Sequence, residues 1–407
     1  MISVEKAHMI ILDKVKIQDC QKVKLDESSG MVLAEDITAL FPMPRFDNSA
    51  MDGFAVRSVD IIDAKKDNPV ILKMIGGIPA GDKGDITLGQ GECVQCMTGA
   101  PIPKGADAVV MVEDTSGYNS GPTVQIFLDA YTGKHIRRKG EEISEGEVLV
   151  AKNTKITPAE IGTLSTFGYS KVSVYRTPKV ALLSTGDELV KPGQPLKTGQ
   201  IYNSNLFVFT DLAKRVGAEI IMDEIVGDNH RDLRDFLSKA LLKCDILISS
   251  GGVSMGTHDY LREILEELGV KEHLWKVAQK PGKPLYFGST PDNLIFGLPG
   301  NPVSSFIGFM EWVWPVIEKM MGLNVSHALN AILTETFPRE QVKTRFLFGI
   351  AKWKDSRLVC APSLKFGSHM LTSSLKANCI IKSDPGNGPL KPGDQVKIRL
   401  LPWKQIL

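Results

Sequence analysis

The chain has 407 residues, of which 43% are hydrophobic and 23% charged, and its 48 basic and 47 acidic side chains leave a formal net charge of +1. That balance gives no electrostatic footprint for bulk nucleic acid or an anionic membrane, so any anionic ligand has to be held by a local site. The length suits about two to four domains, and no apolar run reaches the ~18 residues a membrane span needs.

The first segment, MISVEKAHMIILDKVKIQ, carries charges through its apolar pattern and predicts an amphipathic helix rather than a secretory signal. A short extended stretch, MVLAEDI, follows. FPMPRFDNSAMDGFAV is punctuated by prolines, an Asn-Ser pair and an Asp-Gly, which predicts a turn-rich loop entering a strand. Over residues 54–150, short runs (VILKMI, ECVQCM, DAVVMV, TVQIFL, EVLVA) alternate with Gly, Pro and Asp turns and predict a small all-β unit. ITPAEIGTLSTFG places Thr157 as N-cap and Pro158 as first residue of a short helix.

From residue 178 the rhythm changes. KVALLST, AEIIMDEIV, CDILISS and NLIFGL are apolar β-rich runs separated by the helical patterns NSNLFVFTDLAKRVG, HRDLRDFLSKALLK and DYLREILEELG, which predicts βαβ units and a parallel sheet. In the closing helix, NPVSSFIGFMEWVWPVIEKMMG, Pro315 is expected to kink the helix or end its regular part. From about residue 326 the β rhythm returns. The six cysteines are sparse, which favours a reducing, cytoplasmic compartment. Cys93 and Cys96 form a solitary CxxC within a strand-like run and read as buried thiols rather than a redox or zinc pair.

In a doubly wound sheet, ligands bind beyond the carboxyl ends of the strands. Those ends carry Gly186-Asp187-Glu188, Gly227-Asp228-Asn229, the loop Gly251-Gly252-Val253-Ser254 leading to Asp259, and Pro299-Gly300-Asn301-Pro302. Glycines let backbone amides approach an oxyanion, although the same glycines serve an ordinary strand-to-helix turn. Singly, Asp228 and Asp259 read as helix N-caps; together with Glu188 the acids suit Mg²⁺ through oxygen ligands. Lys276, Lys280 and Lys283 sit in the proline- and glycine-stiffened WKVAQKPGKPLYFG and suit an anion. Arg45, Asp47, Asn48, Ser49, Asp52 and Gly53 form a third cluster, which spacing alone reads as a self-satisfied turn. Walker, dinucleotide and HExxH signatures are absent.

PRFDNSAMDGFAVR, MTGAPIPKGADAVV, IRRKGEEI, STGDEL, IYNSN, SSGGVSMGTHDY, KPGKPLYFG and LPGNPVSS occur in this order between about residues 42 and 305. With these segments the chain resembles the MoeA family of molybdopterin molybdenumtransferases, which includes the E domain of gephyrin and that of a plant cofactor-assembly protein. The resemblance implies an L-shaped, multidomain α/β plus all-β subunit. Residues 1–40 plus 141–175 would form an elongated domain, 41–140 an inserted β domain, 176–325 a three-layer α/β molybdopterin-binding domain and 326–407 a C-terminal β-barrel. It implies a homodimer with an active site shared between subunits, which would bring in the third cluster.

The implied reaction inserts molybdate into adenylylated molybdopterin and releases AMP, with Mg²⁺ in support. Carried over by motif, Asp259, Lys280 and Lys283 are catalytic, and Glu188, Asp228 and Asp259 are metal ligands. Gly251, Gly252, Ser254, Lys276, Pro299, Gly300, Asn301 and Ser368 become substrate contacts, with Asp52, Thr98 and Arg137 contributed from the β insert. A basic residue is expected in the last domain. In Val342-Lys343-Thr344-Arg345-Phe346, Lys343 aligns best with it and Arg345 stands beside it; lysine lacks the planar fork of arginine. The implied partners are a molybdopterin adenylyltransferase and molybdoenzyme maturation proteins. The competing readings are the adenylyltransferase itself, which shares the α/β core, a receptor-clustering scaffold, and a generic nucleotide-binding dimer.

Overall fold

Four apolar, β-rich runs build the sheet that organises the larger part of the molecule. The strands Lys179–Thr185, Glu219–Val226, Ile246–Ser250 and Leu294–Leu298 are parallel. Their spatial order is 219–226, 179–185, 246–250, 294–298. Successive side chains alternate between faces: Val180, Leu182, Ile246, Ile248 and Phe296 enter one core, and Ala181, Leu183, Leu247 and Ile295 the other. Helix Asn205–Val216 and the segment 302–320 cover the first face, while His230–Leu241 and Tyr260–Glu267 cover the second. The result is three layers.

This computed structural model describes residues 1–119, 121–252, 260–325, 328–365 and 367–406. It divides into two units: Met1–Glu35 with Asn153–Thr157 and Lys171–Leu407, and Asp36–Lys152 with Pro158–Ser170.

The larger unit differs from a purely parallel expectation at one edge. Tyr286–Ser289 and Lys271–Trp275 continue the sheet antiparallel. The reason is connection length: only a tight turn, closed by the Thr290 amide donating to the Asn293 carbonyl at 3.0 Å, joins Tyr286–Ser289 to Leu294–Leu298. A parallel crossover needs a dozen or more residues. Near Pro315 the regular helix is interrupted, as the sequence predicts. The α-helix Pro302–Gly308 passes through a π turn, Phe309–Val313, and resumes as Trp314–Met320. Pro315 has no N–H to return to residue 311, and the wide turn before it absorbs the missing bond without ending the helix.

The helix Val4–Asp13 buries Val4, Ala7 and Ile11 in this same core. His8 Nε2 lies 2.8 Å from Glu311 Oε1 on the π turn. After residue 327 a five-stranded barrel closes in the order 344–354, 357–362, 328–333, 395–400, 379–383, with 379–383 returning to 344–354. Arg357–Pro362 is one of its five strands. The two-residue strand Gln279–Lys280 joins the barrel in parallel with Thr344 and Arg345.

In the smaller unit, a five-stranded sheet runs in the order Ala108–Met111, Gly53–Val56, Glu92–Cys96, Lys65–Ile78, Thr123–Leu128, and Pro158 opens the helix Pro158–Thr166 as expected. Among the described residues no helix is long and apolar enough to cross a membrane.

Cys93 and Cys96 both lie on Glu92–Cys96, three residues apart, so the pleat sends them to opposite faces and into separate cores. Burial pushes the Cys93 thiol up to about 12 and Cys96 to about 11. Cys244 and Cys360 are each pushed to about 12, and Cys379 is raised further by the same cause. Of the cysteines only Cys20 is exposed. Titration of the native protein with an aromatic disulfide reagent at pH 8 should therefore show rapid reaction of Cys20 alone, with the other thiols released only in denaturant; fast modification of a second thiol would contradict this packing.

Candidate functional site

The strand order decides where a ligand pocket belongs. The chain leaves Lys179–Thr185 toward one neighbour and later returns to the opposite side as Ile246–Ser250. The switch point therefore lies between these two strands, and its carboxyl edge carries Gly186-Asp187-Glu188 and Gly251-Gly252. The glycines are required there. Gly251 has φ +95°, and a Cβ on it would stand 2.8 Å from the Thr185 carbonyl oxygen; Gly252 has φ +68°. Ser254 and Asp259 lie outside the described residues.

Beside the switch point, the loops after Lys179–Thr185 and Glu219–Val226 touch. The Asp228 amide donates to Asp187 Oδ1 at 3.0 Å. Asp187, Glu188 and Asp228 are all exposed at this edge. Asp228 is not the cap of the following helix, because Asn229 takes that role by accepting from the Asp232 amide at 2.8 Å. Sequence reading named Glu188 and passed over Asp187, since two adjacent acids offer no signal for which one reaches across. Among the described residues, His230, Glu263 and Glu267 also bring ligand atoms within 4.8 Å of one another. Glu267 there already accepts from Arg234.

A buried carboxamide fastens the strand ends. Asn205, from IYNSN, donates through Nδ2 to Ser250 Oγ at 2.6 Å and to the Gly300 carbonyl at 2.7 Å. Its Oδ1 accepts from Ser305 Oγ at 3.0 Å. Asn205 thus holds the Pro299-Gly300-Asn301 loop against the end of Ile246–Ser250. The Ser368 carbonyl accepts from the Val303 amide at 3.0 Å, which sets the Ser368 backbone beside that same loop. The motif was visible in the sequence, but its structural role was not.

The KPGK turn brings a cation to the barrel. Gln279 is buried and donates through Nε2 to the Gly282 carbonyl at 2.9 Å, which clamps the turn. Lys280 pairs with Arg345 in the parallel register, and residues paired in this way project to the same face. Lys280 Nζ lies 2.7 Å, and Arg345 Nη1 2.9 Å, from a single oxygen, Glu340 Oε1. The Lys280 hydrogen bond, with the charges of Lys280, Arg345 and Lys343, holds the Glu340 carboxyl below its ordinary range. Arg345 is 7% exposed, and burial pulls its guanidinium down while Glu340 offsets the effect. Lys343 is half-buried and does not share that oxygen through any bond seen. Lys283 is exposed and Lys276 lies over the Trp275 ring at 3.5 Å.

In the smaller unit, Asp52 and Thr98 come together. Both the Thr98 amide and its Oγ1 donate to Asp52 Oδ1 at 2.7 Å, and these bonds hold the Asp52 carboxyl low. Arg137 is exposed on a two-residue strand paired to Asn48. Asp47 is taken by Arg138 Nη1 at 2.6 Å and the Lys139 amide at 2.8 Å, and Ser49 Oγ donates to the Met51 carbonyl. Much of the third cluster therefore satisfies itself.

Comparison with known proteins matches three segments of the chain. The family model for the MoeA N-terminal region (domain I and II) matches residues 2–168, that for a probable molybdopterin binding domain matches 181–319, and that for the MoeA C-terminal region (domain IV) matches 330–401. A molybdopterin molybdenumtransferase of Bacillus subtilis is 36% identical over 98% of this chain and 94% of its own length. Another, from Haemophilus influenzae, is 33% identical over 100% of both. The crystal structure of a molybdopterin biosynthesis MoeA protein from Pyrococcus horikosii superposes with a TM-score of 0.83 at 32% identity, covering 98% of this chain and 99% of that one.

Replacing Asn205 with alanine leaves Ser250 and the Gly300 carbonyl without this donor in a buried setting. The expected loss is about 1–3 kcal/mol of unfolding free energy, read from urea denaturation; an unchanged midpoint would show that the carboxamide does not hold the edge together.

Proposed function

The chain belongs to the MoeA family, and on that premise we propose that it is a molybdopterin molybdenumtransferase, which inserts molybdate into adenylylated molybdopterin and releases AMP in molybdenum cofactor biosynthesis. The observation that carries the reading is the cation pair Lys280 and Arg345, which projects from paired strands and grips one carboxylate oxygen. Two cations already arranged around an anionic oxygen are what a tetrahedral oxyanion needs. The glycine loop at the switch point supplies backbone suited to a phosphate of the adenylylated pterin.

Chemically, the difficulty is that molybdate and the phosphoanhydride are both anions. In this reading Lys280 and Arg345 hold the molybdate, with Lys276, Lys283, Ser254 and Ser368 as further contacts. Gly251, Gly252, Pro299, Gly300 and Asn301 line the pterin side. Arg345 rather than Lys343 serves as the last-domain cation, because the register sets it opposite Lys280. Fixed cations offset the repulsion between the reactants and stabilise charge developing on departing AMP.

Mg²⁺ fits the donor chemistry of the switch-point edge, where exposed Asp187, Glu188 and Asp228 offer oxygen ligands of the kind hard cations prefer. We assign Glu188, Asp228 and Asp259 to hold it. Bound there, it would supply positive charge to the phosphoanhydride oxygens. The reading includes a cytoplasmic homodimer, to whose shared site Asp52, Thr98 and Arg137 contribute, and the four-part domain division expected from the sequence. A molybdopterin adenylyltransferase would supply the substrate.

AMP release from adenylylated molybdopterin, measured with and without molybdate and Mg²⁺, tests the reading. Molybdate-dependent release is expected. ATP-dependent adenylylation without it would instead identify the adenylyltransferase, and neither activity would leave a scaffold. Lys280→Ala is expected to lower kcat/KM for molybdate by about 100-fold or more. Asp259→Asn is expected to abolish adenylate cleavage with an unchanged circular dichroism spectrum; near-normal turnover would remove Asp259 from the chemistry.

A further inference from the structure

We infer that Glu340 is a built-in competitor for the oxyanion, whose carboxylate occupies the Lys280–Arg345 pair until a tetrahedral dianion displaces it, and so sets the concentration at which the site fills. The inference rests on the oxyanion reading above and adds an affinity-setting residue to it. Three observations support it.

First, a single oxygen, Glu340 Oε1, accepts from both cations, at 2.7 Å from Lys280 Nζ and 2.9 Å from Arg345 Nη1. An oxyanion that bridges the two cations as they stand would compete for that position. Second, the two cations differ in what they need. Arg345 is 7% exposed and requires a counter-charge when no ligand is bound, because a buried unpaired guanidinium is strongly destabilising. Lys280 is 50% exposed and needs none. A carboxylate shared between them neutralises the buried cation and at the same time engages the exposed one. Third, Glu340 is able to leave. It is held to its neighbours in the fold through its backbone, whose carbonyl accepts from the Gly386 amide at 2.9 Å, and its side chain is 28% exposed. A side-chain rotation toward solvent would withdraw that oxygen from both cations without moving the strand.

The consequence follows from population arithmetic. If only a fraction of molecules has the cation pair free, the apparent dissociation constant is the intrinsic one divided by that fraction. Glu340 would thereby weaken binding of any tetrahedral dianion by a common factor, raising the threshold against weak oxyanions while the buried guanidinium stays paired at rest.

The experiment is titration of molybdate, and separately of sulfate, into the intact protein by calorimetry, with the KM for molybdate from the AMP-release assay. Glu340→Gln keeps the shape and hydrogen-bond acceptor but removes the charge. It is expected to lower the apparent Kd of both anions by about five- to tenfold and to lower the KM for molybdate without raising kcat. Damage to the fold would not tighten binding, so this readout separates competition from a structural role. Glu335→Gln removes an exposed negative charge five residues earlier in the chain and should leave both constants unchanged; an equal tightening there would reduce the effect to general electrostatics and overturn the inference. If Glu340→Gln binds like the natural protein while Lys280→Ala binds more weakly, Glu340 is only an anchor and the oxyanion reading survives. If Lys280→Ala also binds as before, the oxyanion site itself is misplaced, and the inference falls with it.

Discussion

Parallel pairing of the strands 219–226, 179–185, 246–250 and 294–298 is the constraint on which the rest of the larger unit depends. Parallel strands buried on both faces all end at one edge, so their loops, and the polar groups in them, are delivered to one side of the molecule. That edge would be a liability, since strand-end carbonyls and hydroxyls leave water there. Asn205 resolves the conflict by spending its carboxamide on Ser250, Gly300 and Ser305. A residue with a donor and an acceptor at the end of a short side chain suits this, because it meets both kinds of unsatisfied group at once.

The electrostatics of the second region follow a related logic. The barrel and the KPGK turn share a strand ladder, and that ladder places two cations on one face. Arg345 is nearly enclosed, and at rest the fold presents the Glu340 carboxylate to it. In the proposed function, stability of the empty protein and readiness for an oxyanion thus draw on the same pair of cations. The carboxylates of the switch-point edge are exposed instead.

Much of the architecture was legible because period and composition report burial directly. The four parallel strands and the helices between them are apolar patterns that fit one geometry each. The antiparallel edge was not legible, because it depends on loop length near Thr290 and not on the strand residues themselves. Nor does any periodicity disclose strand order, which is what identifies the switch point. At the site, Lys280 was legible from its proline-stiffened turn, whereas Glu340, in PREQVK, looks like any surface acid until Lys280 and Arg345 are seen on either side of its oxygen. Alignment by motif preferred Lys343; the register Lys280↔Arg345 is a tertiary fact, invisible along the chain. Asp52 and Thr98 stand 46 residues apart, and their bond depends on two strands that local propensity does not relate.

The helix Val4–Asp13 has one more consequence, for synthesis. Its apolar stripe is buried among residues such as Val316 and Phe346, and His8 meets Glu311 across 303 residues of sequence. On a ribosome working at about 5–20 residues per second, that stripe waits on the order of 15–60 s for the surface that covers it. The charges interleaved in EKAHMIILDK therefore matter before the fold exists. They keep an early, partnerless helix amphipathic during the interval, when a wholly apolar segment would be exposed to chaperones, membranes and other nascent chains.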